Sequence, residues 1–98
     1  MIKYSVTFST NHNGVEKEEG YVKNLTTALL ECAGIDGATL IKNFAGVWRG
    51  EMEDSYTLII LSDDDISVKI KALALNIKTN LKQQSVLVEK SITDTKFI

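Results

Sequence analysis

Ninety-eight residues with a net charge of -2 and a pI near 5.3 leave room for one domain with one modest core. An apolar fraction of 44% and a charged fraction of 24% exclude a wholly disordered chain. One cysteine (Cys32) and one histidine (His12) exclude an internal disulfide, a Cys-rich zinc site and the His clusters of most catalytic zinc sites.

Ile2, Tyr4, Val6 and Phe8 alternate with Lys3, Ser5, Thr7 and Ser9, which predicts a half-buried strand. Asn11-His12-Asn13-Gly14 is turn chemistry, because Asn and Gly tolerate positive φ. A helical period then predicts a helix over 17–33, with Val22, Leu25, Leu29 and Cys32 on its apolar stripe and Ala28 beside them. Glu16, Glu18 and Glu19 crowd its start, where the helix dipole favours negative charge, and Gly34 is a natural C-terminal cap. On this phasing Cys32 is a buried small hydrophobe rather than a nucleophile.

Residues 38–45 read as a second strand. The segment Gly46-Val47-Trp48-Arg49-Gly50 and the acidic stretch Glu51-Met52-Glu53-Asp54 follow. Tyr56 to Leu61 is rich in β-formers and reads as a third strand buried on both faces. With no helix between them, strands two and three form an antiparallel hairpin. Ser62-Asp63-Asp64-Asp65 caps a second helix over 64–82, whose stripe is Ile66, Ile70, Leu73, Ala74, Ile77 and Leu81. Lys69, Lys71, Lys78 and Lys82 lie off that stripe. A fourth strand over 85–90 and a tail or short fifth strand over 91–98 complete a single domain.

The order strand, helix, strand, strand, helix, strand is the ferredoxin-like split βαβ pattern: an α+β fold with two helices on one face of an antiparallel sheet. Right-handed crossovers place the first and third strands centrally. The longest apolar run, Leu58 to Leu61, is far short of the ~20 residues a membrane span needs, and the N-terminus lacks the features of an export signal. The expected location is the cytoplasm, the host cytoplasm if the gene is viral. Ten of eleven basic residues are Lys, alongside ten Ile, six Asn and no Pro, a usage that fits an A/T-rich bacterium or its phage. Arg supplies the bidentate fork that reads phosphates and base edges, so one Arg and a negative net charge disfavour DNA binding.

The second half carries a pattern: Gly46-x-Trp48, then Ser55-x-x-Leu58, then the Asp-rich cap and helix, then Gln83-Gln84-Ser85-Val86-Leu87. It resembles a family of small bacterial proteins of unknown function with a Gly-x-Trp, Ser-x-x-Leu and Gln-Glu-Ser-Val-Leu pattern. The likeness covers residues 37–90, with Gln84 where the family has Glu. The resemblance implies the same α+β fold, implies no activity, and singles out Trp48, Ser55 and Ser85.

Trp48 and Arg49 between two glycines are the most pointed feature. One reading has the hairpin present an aromatic and a cation to a partner, the residue types enriched at binding hot spots. The other has Trp48 fold back over the sheet, with the glycines marking a bulge. Ser55, Glu51 and Glu53 complete the candidate binding set. The Asp63–Asp65 run lacks the spaced ligands and glycine of an EF-hand, and it lies a strand length from Glu51 and Glu53, so no metal is assigned. No Ser-His-Asp set, phosphate loop or dinucleotide fingerprint exists, and no cofactor is expected. The leading expectation is a non-enzymatic interaction protein, bacterial or phage-encoded, binding a host or viral macromolecule, with a protein as the partner class. The alternatives are a small-molecule-binding regulatory domain or a small enzyme using carboxylate and Tyr groups. An uncovered sheet face and the apolar tail residues Ile92, Phe97 and Ile98 predict a homodimer.

Overall fold

The computed structural model of the chain describes residues 1–11, 15–48 and 51–95, and for 44–48 and 51–54 it describes the backbone. His12, Asn13 and Gly14 of the first turn, Arg49 and Gly50, and Phe97 and Ile98 of the tail lie outside the described residues. Six elements follow in the expected order: β1 (Ile2–Ser9), α1 (Glu19–Ala33), β2 (Thr39–Trp48), β3 (Glu51–Ser62), α2 (Ser67–Asn80) and β4 (Leu87–Ile92). The sheet is antiparallel throughout, in the order β2-β3-β1-β4. This is the ferredoxin-like α+β fold, with β1 and β3 central as right-handed crossovers require.

Alternation divides the central strands. Tyr4, Val6 and Phe8 of β1 and Tyr56, Leu58 and Ile60 of β3 are buried. They meet Val22 of α1 and Ile70, Leu73, Ala74 and Ile77 of α2 in one core, with Ile35 and Leu81 closing its ends. The stripe expected on α2 is the buried face from Ile70 to Leu81, and Ile66 is half-buried. Strand β3 is covered on this face only. Thr57 and Ile59 are half-buried on the other and Leu61 is 37% exposed, which corrects the expectation of burial on both faces. Two helices supply one layer, and no described element lies over the opposite face.

Helix α1 corrects a second expectation. Its buried positions are Val22 and Thr26, with Leu25, Leu29, Leu30 and Ala33 packed beside them, and Cys32 is exposed. Thr26 fits into the core because its hydroxyl donates to the Val22 carbonyl at 2.9 Å, so the buried group keeps a hydrogen bond. A polar letter at the inward position moved the apparent stripe toward Leu25 and Cys32; the true one runs through 22, 26, 29–30 and 33. Ala28 is exposed for the same reason. The helix ends as expected. Gly34 takes φ 70°, its N–H bonds the Glu31 carbonyl, and the Ile35 N–H bonds the Leu30 carbonyl, a Schellman motif.

The hairpin is longer than its composition suggests. Gly46, Val47 and Trp48 continue β2, and Glu51 to Asp54 open β3, so both strands run past the bounds expected from the sequence. The pairs are Gly46 with Glu53, Val47 with Met52 and Trp48 with Glu51, and a one-residue bulge between Asn43 and Gly46 resets the register. Helix α2 starts two residues after Asp65, with Ile66 at its N-cap and no side-chain bond there. The Asp65 carboxylate instead accepts the Ser67 N–H at 2.9 Å. Strand β4 is an exposed edge, beginning two residues later than expected and including Ser91 and Ile92. Beyond it the Thr93 N–H reaches the Met1 carbonyl at 2.9 Å, so the tail runs back along the first residue.

Candidate functional site

Strand β1 stops pairing at Ser9, opposite Ser55. From residue 54 back to 51 the strand pairing given for β3 is with β2, so this end of the hairpin extends past the strand pairs of the four-stranded sheet as a β2–β3 ribbon. Trp48, Glu51 and Glu53 stand on its backbone, Trp48 facing Glu51 in the register, and Arg49 lies outside the described residues. The sequence gives this ribbon three carboxylates, one guanidinium and one indole within seven positions.

Ser55 belongs to a different group. It sits at the foot of the ribbon on the bare sheet face, where the Asn43 amide donates to its Oγ at 3.2 Å and to Thr57 Oγ1 at 2.9 Å. The Thr57 and Thr7 hydroxyls are 3.0 Å apart. A chain of side-chain hydrogen bonds therefore crosses β2, β3 and β1. Lys3, Ser5 and Ser9 lie on the same face of β1, and Ile41, Leu61 and Leu87 are exposed on that face. The sequence signal for this ladder was present: Thr7, Ser9, Ser55 and Thr57 alternate with core residues.

A second cluster ties β1, β4 and the start of α2. Tyr4 Oη donates to Asp65 Oδ1 at 3.1 Å and accepts the Ile66 N–H at 3.0 Å. Lys90 Nζ lies 2.8 Å from Asp65 Oδ2 and 5.9 Å from the Tyr4 ring centroid. Lys90 and the Ser67 donors hold the Asp65 carboxyl far below the usual carboxylate range, and Asp65 in turn raises Lys90. Sequence reasoning gave Asp65 a capping role and left Lys90 unremarked. The usable signal was Lys90 on the core-facing side of β4, two residues after Val88.

Beside this cluster a groove of about 350 Å³ opens between α2 and β4. Ile70, Ala74, Val86 and Val88 line it, and Lys71 and Lys78 stand at its border. The groove exists because α2 seats over the centre of the sheet and leaves the edge strand uncovered; Val88 is 43% exposed.

Among the described residues no group of three His, Cys, Asp or Glu side chains is placed to hold a metal ion, and no helix is long and apolar enough to cross a membrane. No family model and no curated protein sequence matches the chain. Solved structures do. A phage SAM lyase in its apo state is 27% identical, with a TM-score of 0.73 over 92% of this chain and 78% of that one. CPII, a nitrogen regulatory PII-like protein from Thiomonas intermedia K12 bound to ADP, AMP and bicarbonate, is 19% identical, with a TM-score of 0.60 over 99% and 94%. CutA1 from Pyrococcus horikoshii is 18% identical, with a TM-score of 0.60 over 99% and 87%. The last two likenesses are likenesses of fold.

Proposed function

We propose that this chain is a small phage-type protein that binds and cleaves an adenosine-bearing sulfonium compound, SAM, at the end of its β2–β3 ribbon. The observation that carries the reading is the β2–β3 ribbon, whose sequence holds carboxylates and an indole, in a chain whose fold matches a phage SAM lyase over 92% of its length. SAM presents a sulfonium cation, an ammonium group and a flat adenine ring. Glu51 and Glu53 suit the cations, and Trp48 suits the ring or the sulfonium through its π face. Cleavage breaks a carbon–sulfur bond and releases a neutral thioether, a good leaving group. The electron pair comes from the substrate's own carboxylate, which attacks that carbon to close a lactone. The step asks for positioning and a fixed electrostatic field more than for a protein nucleophile. That fits a sequence without a nucleophile set, and it favours the small-enzyme alternative over capture of a macromolecule.

Self-association belongs to the same reading. The bare sheet face combines a satisfied hydroxyl ladder with exposed Ile41, Leu61 and Leu87, and a second copy is its occupant. The site of action is the cytoplasm of a bacterial host, where SAM is found.

The test is calorimetric titration of the purified protein with SAM, together with chromatography of SAM left after incubation. The expected result is saturable binding and depletion of SAM, both lost in Glu51→Gln/Glu53→Gln with an unchanged melting temperature. Absence of both binding and depletion in the parent chain overturns the proposal and returns the macromolecular partner to first place.

A further inference from the structure

We infer that the groove between α2 and β4 is a second small-molecule site, specific for an anion with an apolar or aromatic body. Its volume of about 350 Å³ lies within the range of ligand pockets. Its walls are the apolar side chains Ile70, Ala74, Val86 and Val88, and Leu75 stands 53% exposed beside them. Lys71 and Lys78 are seven residues apart on α2, which sets them on one face about 10 Å apart along the axis. Neither has an ion-pair partner among the described residues. Asp65, the carboxylate at the groove's end, is already taken by Lys90, Ser67 and Tyr4. The field inside the groove is therefore positive and unneutralised.

Charge decides between occupants. A sulfonium or an ammonium is repelled here, so the groove is unsuited to SAM by its cationic centre. A phosphate or carboxylate gains two ammonium partners, and its apolar body covers Val88 and Leu75. The Ser85 hydroxyl, which has no hydrogen-bond partner among the described residues, adds a polar contact at the far end. The site also stands apart in space: β4 and β2 are opposite edges of the sheet, and the ribbon continues β2 and β3.

The experiment uses the full chain and the fluorescent probe 1-anilinonaphthalene-8-sulfonate, an aromatic sulfonate. Saturable binding of one probe per chain is expected. Lys71→Glu/Lys78→Glu should weaken it by about tenfold or more, as reversing the sign of two unpaired charges at the site's border does. Val88→Glu should weaken it comparably, whereas Lys23→Glu on the exposed side of α1 should not. Displacement by AMP identifies a phosphate as the anion, and displacement by decanoate a carboxylate. Binding unchanged in the double variant, an equal loss in Lys23→Glu, or displacement by neither competitor overturns the inference. Depletion of SAM by the double variant reads the ribbon separately: unchanged depletion is expected, and its loss merges the two sites and overturns a second one.

Discussion

The two faces of the sheet are built from the same strands and do different things. On the helix side Tyr4, Val6, Phe8, Tyr56, Leu58 and Ile60 are sealed, none more than 2% exposed. One residue along in each case, Ser5, Thr7, Ser55, Thr57 and Ile59 face outward and are only half-covered. The period of two thus separates folding from availability within single strands. The bare face is neither a second core nor an ordinary wet surface. The Asn43 amide and the hydroxyls of Ser55, Thr57 and Thr7 form one ladder across three strands, while apolar Ile41, Leu61 and Leu87 stand open around it. The bonded ladder and the open apolar groups can be buried against another surface at little desolvation cost, while Lys3 and Glu89 on the same face would need partners there.

Truncating a leucine on each side tests that division most strongly. Leu73 of α2 is fully buried, so Leu73→Ala should cost about 2–5 kcal/mol of stability in urea unfolding. Leu61→Ala removes the same atoms from a side chain 37% exposed and should cost less than about 1 kcal/mol in the dissociated chain. Leu61→Glu/Ile41→Glu should leave the fold intact and abolish self-association in sedimentation at micromolar concentration. Equal losses from the two alanine variants would show that the faces are energetically alike and break the comparison.

Tyr4 is the point where the sealed face reaches the surface. Its ring is core, and its hydroxyl both donates to Asp65 and accepts the Ile66 N–H. Tyr4→Phe keeps the ring and leaves that N–H without its partner, an expected loss of about 1–2 kcal/mol by chemical unfolding. Asp65 carries the pH dependence of the same cluster. Its folded pKa is depressed, so its contribution is fully present above the unfolded carboxylate value of about 3.9 and is lost as pH falls below that toward the folded value. The raised Lys90 works in the opposite window: its contribution is present below the unfolded lysine value of about 10.4 and lost above it. Both groups are exposed, so the effect is modest and screened by salt. Asp65→Asn should flatten the acid limb of the unfolding profile, and an unchanged limb would remove the ion pair from the account.

Much of the fold was legible because β1 and α2 follow simple periods: alternation over Ile2–Ser9 and an unbroken stripe from Ile70 to Leu81. Reading failed where a polar residue occupies an inward position or a strand lacks apolar alternation. Thr26 hides its hydroxyl in its own helix, and this displaced the stripe onto Cys32. Glu51, Glu53 and Asp54 read as an acidic stretch ahead of the third strand because that stretch lacks the apolar alternation of Tyr56 to Ile60. The candidate site was legible as a composition, indole beside carboxylates, but not as a ribbon. The groove was invisible because it comes from the offset between α2 and an edge strand, and its lysines looked like ordinary solvated positions.

The smallest expected effect concerns how the covered face is closed at its ends. Both helices finish in the same Schellman geometry. At α1 the left-handed position is Gly34, φ 70°; at α2 it is Lys82, φ 52°. The bonds match: the Gln83 N–H reaches the Lys78 carbonyl at 3.0 Å and the Lys82 N–H the Thr79 carbonyl at 3.4 Å. A non-glycine residue in this region carries a cost of about 1–2 kcal/mol from its Cβ. Lys82→Gly should remove that cost while loosening the unfolded chain, for a net gain of about 0.5–1 kcal/mol. Gly34→Ala should lose a similar amount. A Cβ there meets nothing closer than Lys69 Nζ at 3.6 Å, an ordinary contact, so the loss comes from φ alone. Leu81 packs in the core next to Lys82, so a tighter turn also holds that end of the covered face. Measured by thermal unfolding, opposite signs for the two variants would confirm that the turns are equivalent. A loss in Lys82→Gly would mean that the lysine stem contributes packing that outweighs its backbone strain.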